Sequence, residues 1–142
     1  MLIVAAVCAC LVVLTTAIHY EVLHGLSAML PGLAVASRAK LLVVVFAAFL
    51  AHLAEILLYA VAIYALVRYA HLGTLGEPGR FSLDTALYFS AETYTSLGYG
   101  DVIPVGDLRL VAGVEALNGL LLIGWSASYT YIAMERFWGS RP

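Results

Sequence analysis

Three long apolar stretches, separated by shorter polar segments, dominate the pattern of hydrophobic and polar positions along the chain. The first runs from Leu2 to Ile18 without a charge and stays mostly apolar to Leu30. The second extends from Leu41 to about Tyr69, and the third from about Leu108 to Phe137. A helix needs ~20 residues to cross ~30 Å of hydrocarbon, so each stretch predicts a transmembrane helix. Because no Lys or Arg precedes the first stretch, we expect a retained helix rather than a cleaved signal peptide.

The segment between the second and third stretches has a mixed character that predicts a different structure. Ser82 is a suitable N-cap, and the residues from Leu83 to Thr95 can form about three helical turns, too few to cross a membrane. Gly98 and Gly100 then favour extended backbone. A half-length helix followed by a glycine-rich loop, between two spans, predicts a re-entrant loop, which needs a protein or water-filled surrounding at membrane depth.

Composition supports a membrane protein and excludes several other classes. Apolar residues make up 63% of the 142 residues and charged residues 11%, against roughly 25% charged in soluble domains. The net charge of -2 and the lack of a basic run exclude nucleic acid as a partner. Cys8 and Cys10 point to different faces of a helix, which excludes a disulfide framework. The sequence contains no Gly-rich phosphate loop or Ser-His-Asp arrangement, so we predict that the chain is not an enzyme.

The distribution of cations predicts the orientation of the chain in the membrane. If three helices cross in sequence, one side carries Arg38, Lys40, Arg136 and Arg141, and the other side carries Arg68, Arg80 and Arg109 among several acids. The positive-inside rule then places the C-terminus in the cytoplasm and the re-entrant loop and N-terminus outside.

The loop that runs from Thr95 to Asp101 has the chemistry of a cation site. Its two glycines permit backbone conformations in which successive carbonyls point to one side. A ring of such carbonyls from several chains can replace the water around a dehydrated cation, and Ser96 adds a hydroxyl oxygen. The partial negative charge at the C-terminus of the preceding helix also favours a cation.

The heptapeptide Thr95-Ser96-Leu97-Gly98-Tyr99-Gly100-Asp101 resembles the signature of the potassium-channel pore-domain family, with Ser96 where threonine is usual. The resemblance extends from about Leu41 to Met134 and is greatest to small bacterial channels with a two-helix pore. It implies an all-α membrane protein with potassium-channel pore architecture: three transmembrane helices, with a re-entrant pore helix and selectivity-filter loop between the second and third. The implied layout is an N-terminal helix over 1–32 and a pore domain over 33–138, with outer helix 41–70, pore helix and filter 83–101, and inner helix 107–137.

The resemblance also implies a homotetramer and assigns residues to the filter. Each chain would supply one filter segment, and K⁺ would be coordinated by the carbonyls of Ser96, Leu97, Gly98 and Tyr99 and by the Ser96 hydroxyl, with Gly100 completing the filter. K⁺ is then the permeant ion, and no cofactor is expected.

Further residues are expected to support the filter. These are Tyr88, Phe89, Glu92, Thr95 and Asp101. Tyr88 can donate to Asp101, whereas Phe89 has no group to bond the Tyr99 hydroxyl. Glu92 and Asp101 either share a proton or leave Glu92 within a local hydrogen-bond network.

On the third stretch, the resemblance implies a hinge at Gly119, for which close helix packing is the alternative. Ile123, Ala127 and Tyr131 have the spacing to line a cavity and gate on one helix face. Trp125, Tyr129, Phe137 and Trp138 are expected to meet lipid or neighbouring helices.

Several ionisable residues lie inside the predicted spans. His52 and Glu55 share a helix face, as do Glu115 and Asn118, and His19 and His24 lie near the end of the first span. We favour interhelical hydrogen bonds for these residues. A gating role that responds to protons or lipid is a second hypothesis, and a metal site of His19, His24, His52 and Glu55 is a third.

The sequence thus predicts a passive, potassium-selective channel in a bacterial-type inner membrane. A weakly selective cation channel and a non-conducting membrane sensor with a channel-like fold are the alternatives.

Overall fold

The computed structural model describes residues 1–76 and 81–138, except for the side chain of Trp138. Arg80 and Arg141, used in the orientation prediction, lie outside the described residues. The elements in chain order are α1 (Leu2–Met29) with a 3-10 turn (Leu30–Gly32), α2 (Ser37–Arg68), β1 (Gly73–Leu75), α3 (Leu83–Tyr94), β2 (Pro104–Gly106) and α4 (Leu108–Trp138).

Three of these helices, α1, α2 and α4, are long and apolar enough to cross a membrane. The short helix α3 begins after Ser82, whose side chain accepts a hydrogen bond from the Thr85 N–H at 3.2 Å, so the predicted N-cap is confirmed. The chain therefore has the predicted three spans with a half-length helix between the second and third.

A short antiparallel ribbon of β1 and β2 joins the two ends of the segment that contains α3 and the loop. Gly73 pairs with Gly106, Thr74 with Val105, and Leu75 with Pro104. A Cβ at Gly73 would lie 2.3 Å from the Val105 carbonyl oxygen, so only glycine permits this approach. The ribbon joins the chain before α3 to the chain after the glycine-rich loop, and it holds both ends of the re-entrant segment at one place.

The helices pack around two apolar clusters. The first joins the beginnings of α1 and α4, the end of α2, and α3, and it includes Val4, Leu11, Tyr59, Ile63, Phe89, Leu108 and Val111. The second joins the opposite ends of the three long helices and includes Leu23, Leu26, Leu30, Leu41, Val44 and Ala133. Because α1 contributes to both clusters, it is an integral part of the fold.

Many large apolar side chains remain on the outside of the helices. On α4 they include Leu117, Leu120, Leu121, Tyr131 and Ile132, and α2 exposes a similar set. Surfaces of this kind on three helices of spanning length face lipid or other chains. The prediction of an all-α membrane protein with a re-entrant helix is confirmed.

Candidate functional site

The glycine-rich loop has an alternating backbone conformation. The φ angles of Ser96, Gly98 and Gly100 are 58°, 59° and 79°, whereas Leu97 and Tyr99 keep the ordinary negative φ. A left-handed φ costs an L-residue such as Ser96 about 1–2 kcal/mol. Alternation of this kind directs successive carbonyl groups to one side of the chain, which is the arrangement expected for a row of cation ligands.

The C-terminus of α3 holds the loop in this conformation. The N–H groups of Leu97 and Gly98 donate to the Glu92 carbonyl oxygen at 2.8 and 3.2 Å. The N–H of Tyr99 donates to Glu92 Oε2 at 2.9 Å. Since these amides point towards α3, the bonds offset the cost of the left-handed residue, and the carbonyls are left for the other side of the loop.

The sequence predicts that Glu92 either shares a proton with Asp101 or belongs to a local hydrogen-bond network. Within the chain, its contacts are those of the local network. Glu92 bonds to the Tyr99 amide, and it makes no hydrogen bond to Asp101 among the described residues. Asp101 instead accepts hydrogen bonds from the Tyr88 hydroxyl at 3.1 and 3.2 Å, as expected. Glu92 Oε1 is buried and has no partner in the described part of the chain.

Phe89, which is expected to support the filter, does not stack on Tyr99 within the described part of one chain. Phe89 is 5% exposed and lies in the first apolar cluster, whereas Tyr99 is 70% exposed and does not belong to that cluster. Phe89 turns inward because it lies on the face of α3 that packs against α2 and α4. Thr95 uses its hydroxyl to close the helix end by donating to the Ala91 carbonyl at 2.7 Å.

Helix α4 contacts the end of α3 at Gly119. A Cβ at Gly119 would lie 2.1 Å from the Tyr94 carbonyl oxygen, whereas Gly113 and Gly124 have nothing within 4 Å. The helix continues without a break through Gly119. In this structure Gly119 therefore serves close packing, and the hinge stays a prediction.

The three predicted cavity residues have different surroundings. Ile123 is half-buried and packs against the first apolar cluster. Ala127 and Tyr131 are exposed, and the Tyr131 hydroxyl donates to Glu135 at 2.8 Å. Within one chain, only the last two are free to face a cavity. Of the aromatic residues expected to meet lipid or neighbouring helices, Trp125 and Tyr129 contact α1, through His19 and Ser27.

A buried polar cluster joins α1 and α2 and includes the last residue of α3. His19 Nδ1 is 3.0 Å from Glu55 Oε1, and His52 Nδ1 is 3.1 Å from Glu55 Oε2. The candidate metal-ligating atoms of these three residues lie within 4.8 Å of one another. The fourth expected ligand, His24, is exposed and stacks on Tyr20, so its inclusion in the metal site was wrong. Its side chain points to a different face of α1 from that of His19.

Glu115 and Asn118 make the interhelical hydrogen bonds that the sequence analysis favours. Asn118 donates to Thr15 Oγ1 on α1 at 2.8 Å and to the Tyr59 hydroxyl on α2 at 3.2 Å. Glu115 accepts a hydrogen bond from Ser90 on α3. These bonds fasten α4 to the other three helices.

Two members of the buried cluster, Tyr94 and Ser126, are not among the polar residues that the sequence predicts to interact there. The hydroxyl of Tyr94 donates to Glu55 Oε2. Ser126 Oγ lies 3.0 Å from His52 Nε2 and 3.2 Å from His19 Nε2. A signal was present for Ser126, because it lies on the same face of α4 as Glu115 and Asn118. No periodic signal marked Tyr94, which is the last residue of a short helix.

Comparison with known proteins identifies the kind of chain that carries this loop. Residues 41–136 match the ion channel family, and this region contains α2, α3, the loop and almost all of α4. No solved structure matches the chain.

Three curated relatives share shorter segments with the chain. The calcium-gated potassium channel TvoK of Thermoplasma volcanium is 49% identical over 41 residues, which are 28% of this chain and 12% of TvoK. The inward rectifier potassium channel Kirbac3.1 of Paramagnetospirillum magnetotacticum is 38% identical over 61 residues, 42% of this chain and 20% of that protein. Protein LctB of Geobacillus stearothermophilus is 50% identical over 40 residues, 28% of this chain and 30% of LctB.

The matched segments span between 12% and 30% of the length of these relatives. The family match covers more than half of this chain and includes both helices that flank the re-entrant segment. The expected pore architecture and the expectation that the chain is not an enzyme are therefore confirmed. The chain belongs to the ion channel family and carries a channel domain of the potassium-channel type.

Proposed function

We propose that the chain forms a homotetrameric, potassium-selective channel that conducts K⁺ passively across the cell (inner) membrane, with its N-terminus outside and its C-terminus in the cytoplasm. The observation that carries the proposal is the alternating backbone of the loop, with positive φ at Ser96, Gly98 and Gly100. The carbonyls of Ser96, Leu97, Gly98 and Tyr99 would replace the hydration shell of K⁺ ions that pass in file. Two of the relatives described above are potassium channels by name.

The exposure of the loop supports assembly from several copies. Leu97 is 59% and Tyr99 is 70% exposed, and Gly98 and Gly100 have nothing within 4 Å of an added Cβ. One chain thus forms only one wall of an ion site, whereas coordination of a dehydrated cation needs oxygens on all sides. Four copies around a closed axis would complete the ring, and the exposed apolar side chains of α4 would meet a neighbouring copy.

The electrostatics of the loop favour a cation over an anion. The loop follows the C-terminus of α3, where the aligned peptide dipoles leave a partial negative charge. The N–H groups of Leu97, Gly98 and Tyr99 are already bonded to Glu92, so they offer few donors to an anion. The Ser96 hydroxyl adds one further oxygen at the inner end of the row.

The reversal potential tests selectivity directly. Purified protein in a planar bilayer, with potassium chloride on one side and sodium chloride on the other, should give currents that reverse near the potassium equilibrium potential. Currents that reverse near zero would contradict potassium selectivity. Silence under all conditions would favour the non-conducting sensor.

Substitution of Gly98 shows whether the loop carries the current. Gly98 has a φ of 59°, which an alanine adopts only at a cost of about 1–2 kcal/mol, so Gly98→Ala should abolish or strongly reduce K⁺ current. Gly25→Ala is the matched control, because Gly25 lies within α1 with nothing near an added Cβ. Equal loss of current in both variants would contradict a specific role of the loop.

A weakly selective cation channel is the second candidate, and two observations favour it. Ser96 lacks the methyl group of the usual threonine, and Phe89 is buried in the apolar cluster without a polar group to bond the Tyr99 hydroxyl. Both would leave the loop less constrained. In the bi-ionic experiment this candidate predicts clear currents that reverse close to zero, so the same measurement separates the two.

A further inference from the structure

A ring of hydrogen bonds joins four helices and includes Tyr94, the last residue of α3 before the loop. His19 (α1), His52 and Glu55 (α2), Tyr94 (α3) and Ser126 (α4) form it, and we call these five residues the histidine cluster. Each imidazole turns its Nδ1 towards the Glu55 carboxylate and its Nε2 towards Ser126 Oγ. His19 and Glu55 are fully buried, and Ser126 is buried.

The ring contains one contact more than the available hydrogens can fill. Five contacts need a separate hydrogen: His19 to Glu55, His52 to Glu55, Tyr94 to Glu55, and Ser126 to each histidine. When Glu55 is ionised and both imidazoles are neutral, the cluster supplies only four hydrogens. They come from His19, His52, Tyr94 and Ser126. The additional contact of His52 Nδ1 with the Tyr94 hydroxyl oxygen, at 2.9 Å, shares the His52 hydrogen.

The contact that lacks a hydrogen is one of the two between Ser126 Oγ and the imidazole Nε2 atoms. When both Nδ1–H groups donate to Glu55, both Nε2 atoms are acceptors, and the single Ser126 hydrogen can serve only one of them. One added proton removes the deficit. The protonated imidazole then donates from Nε2 to Ser126 Oγ, and the Ser126 hydroxyl donates to the other Nε2. The imidazolium and the Glu55 carboxylate together carry no net charge, which suits an apolar surrounding.

We propose that the histidine cluster binds one proton, shared between His19 and His52, and that this proton stabilises the conducting form of the filter. The proposal rests on the proposed channel function, whose site it regulates. Loss of the proton leaves a buried acceptor unpaired and loosens the ring that holds Tyr94.

Tyr94 links the cluster to the filter. It is the last residue of α3 and lies two positions before Ser96, the first left-handed residue of the loop. Its side chain belongs to the cluster, and its carbonyl oxygen lies against Gly119 of α4. A change in the hydrogen bonds of its hydroxyl is therefore transmitted to both the inner end of the loop and the inner helix.

Two further titratable groups lie near the cluster, and among the described residues neither is bonded to Glu55 or to the histidines. Tyr59 on α2 and Glu115 on α4 are the further titratable groups that face it, and Glu115 is bonded to Ser90. In the described part of the chain, the salt bridges of Glu55 come only from the two histidines. On α1, His24 is exposed and outside the cluster.

The contacts favour a proton over a metal ion at this position. His19 and His52 approach different oxygens of Glu55, at 3.0 and 3.1 Å, which is the pattern of two hydrogen bonds to one carboxylate. A divalent ion with the single Glu55 carboxylate would also leave a net positive charge among apolar side chains.

Potassium flux at different pH values tests the proposal. Full-length protein in liposomes, with equal pH on both sides, should conduct K⁺ about fivefold better near ~pH 5.5 than near ~pH 8.5, since a lost hydrogen bond costs ~1 kcal/mol and imidazole exchanges its proton in this range. His19→Gln and His52→Gln should each remove the pH response. His24→Gln and His71→Gln are the matched controls, because both residues are exposed, and they should retain it.

Tyr94→Phe separates proton binding from its effect on the filter. In the wild-type protein and in Tyr94→Phe, ¹⁵N NMR of labelled histidine in bilayers should show one cluster imidazole gaining a proton as the pH falls. The flux of Tyr94→Phe should be independent of pH, because the link through its hydroxyl is absent.

Three results would overturn the proposal: a pH response that survives in either His19→Gln or His52→Gln, cluster imidazoles that both stay neutral from ~pH 5 to ~pH 8.5, or a stoichiometric metal found by elemental analysis of the purified protein. A conducting but pH-independent channel would refute the regulation and leave the channel function intact. A protein without K⁺ flux at any pH would refute the channel function, and the NMR titration alone would then decide proton binding.

Discussion

At Gly119 the packing of α4 against the end of α3 leaves no space for a side chain. The Tyr94 carbonyl oxygen would lie 2.1 Å from an added Cβ, and the Tyr94 ring would lie 2.9 Å away. The nearest atoms belong to backbone and to a buried ring, neither of which can move aside freely. Because glycine carries only a hydrogen here, α4 can lie this close to the end of α3, directly before the glycine-rich loop.

We expect Gly119→Ala to destabilise the protein by about 1–3 kcal/mol, because the added methyl group must displace α4 or α3. Gly113→Ala is the matched control, since it lies on the same helix with nothing within 4 Å. Both substitutions gain helix propensity, so the control should be neutral or slightly stabilising. Thermal unfolding in lipid nanodiscs measures the difference, and equal melting temperatures for the two variants would contradict the packing role.

At the scale of elements, α3 depends on its cap more than the long helices do. It has only 12 residues, and an isolated helix of that length is marginal. Ser82 bonds to the Thr85 N–H at 3.2 Å and to the Thr85 hydroxyl at 3.1 Å. The cap therefore fixes where α3 starts. Because α3 is short, its start and its length together determine where the loop begins.

Replacement of the cap should loosen the beginning of α3. Ser82→Ala removes the acceptor and should cost about 1 kcal/mol, whereas Ser82→Asn retains an acceptor and should cost little. Hydrogen–deuterium exchange of a peptide covering the first turn measures this as about fivefold faster exchange in the alanine variant alone, if exchange follows local opening. Similar exchange in the two variants would show that tertiary packing, and not the cap, holds the helix start.

The elements differ in how far the sequence predicts them. The bounds of α3 follow from local signals, namely Ser82 before it and the glycines after it. The pairing of Gly73 with Gly106 has no such signal, because three-residue strands show no periodicity and the pairing joins distant parts of the chain. The same limit explains the error at His24, since the sequence places it near His19 and only the packing of α1 decides which of them turns inward.

At the scale of the whole molecule, α1 packs against both α2 and α4 of its own chain. Its buried contacts reach Asn118 through Thr15 and Ser126 through His19. If four chains surround a pore lined by their loops, α1 then lies outside that pore. Cys10 is exposed on α1, whereas Cys8 is buried, so a probe attached to Cys10 reports the outer radius of the assembly.

A nitroxide spin label on Cys10, in a Cys8→Ala variant, should give two distances whose ratio is about 1.4, the diagonal and the edge of a square. If α1 lies outside the pore of a tetramer, the labels should be far apart. A single distance would indicate a dimer or a trimer and would contradict the tetramer. Two short distances at that ratio would still support a tetramer. They would, however, place α1 near the axis of the assembly and contradict its peripheral position. An unlabelled Cys8→Ala, Cys10→Ser variant with unchanged K⁺ flux shows that the cysteines themselves do not support the assembly.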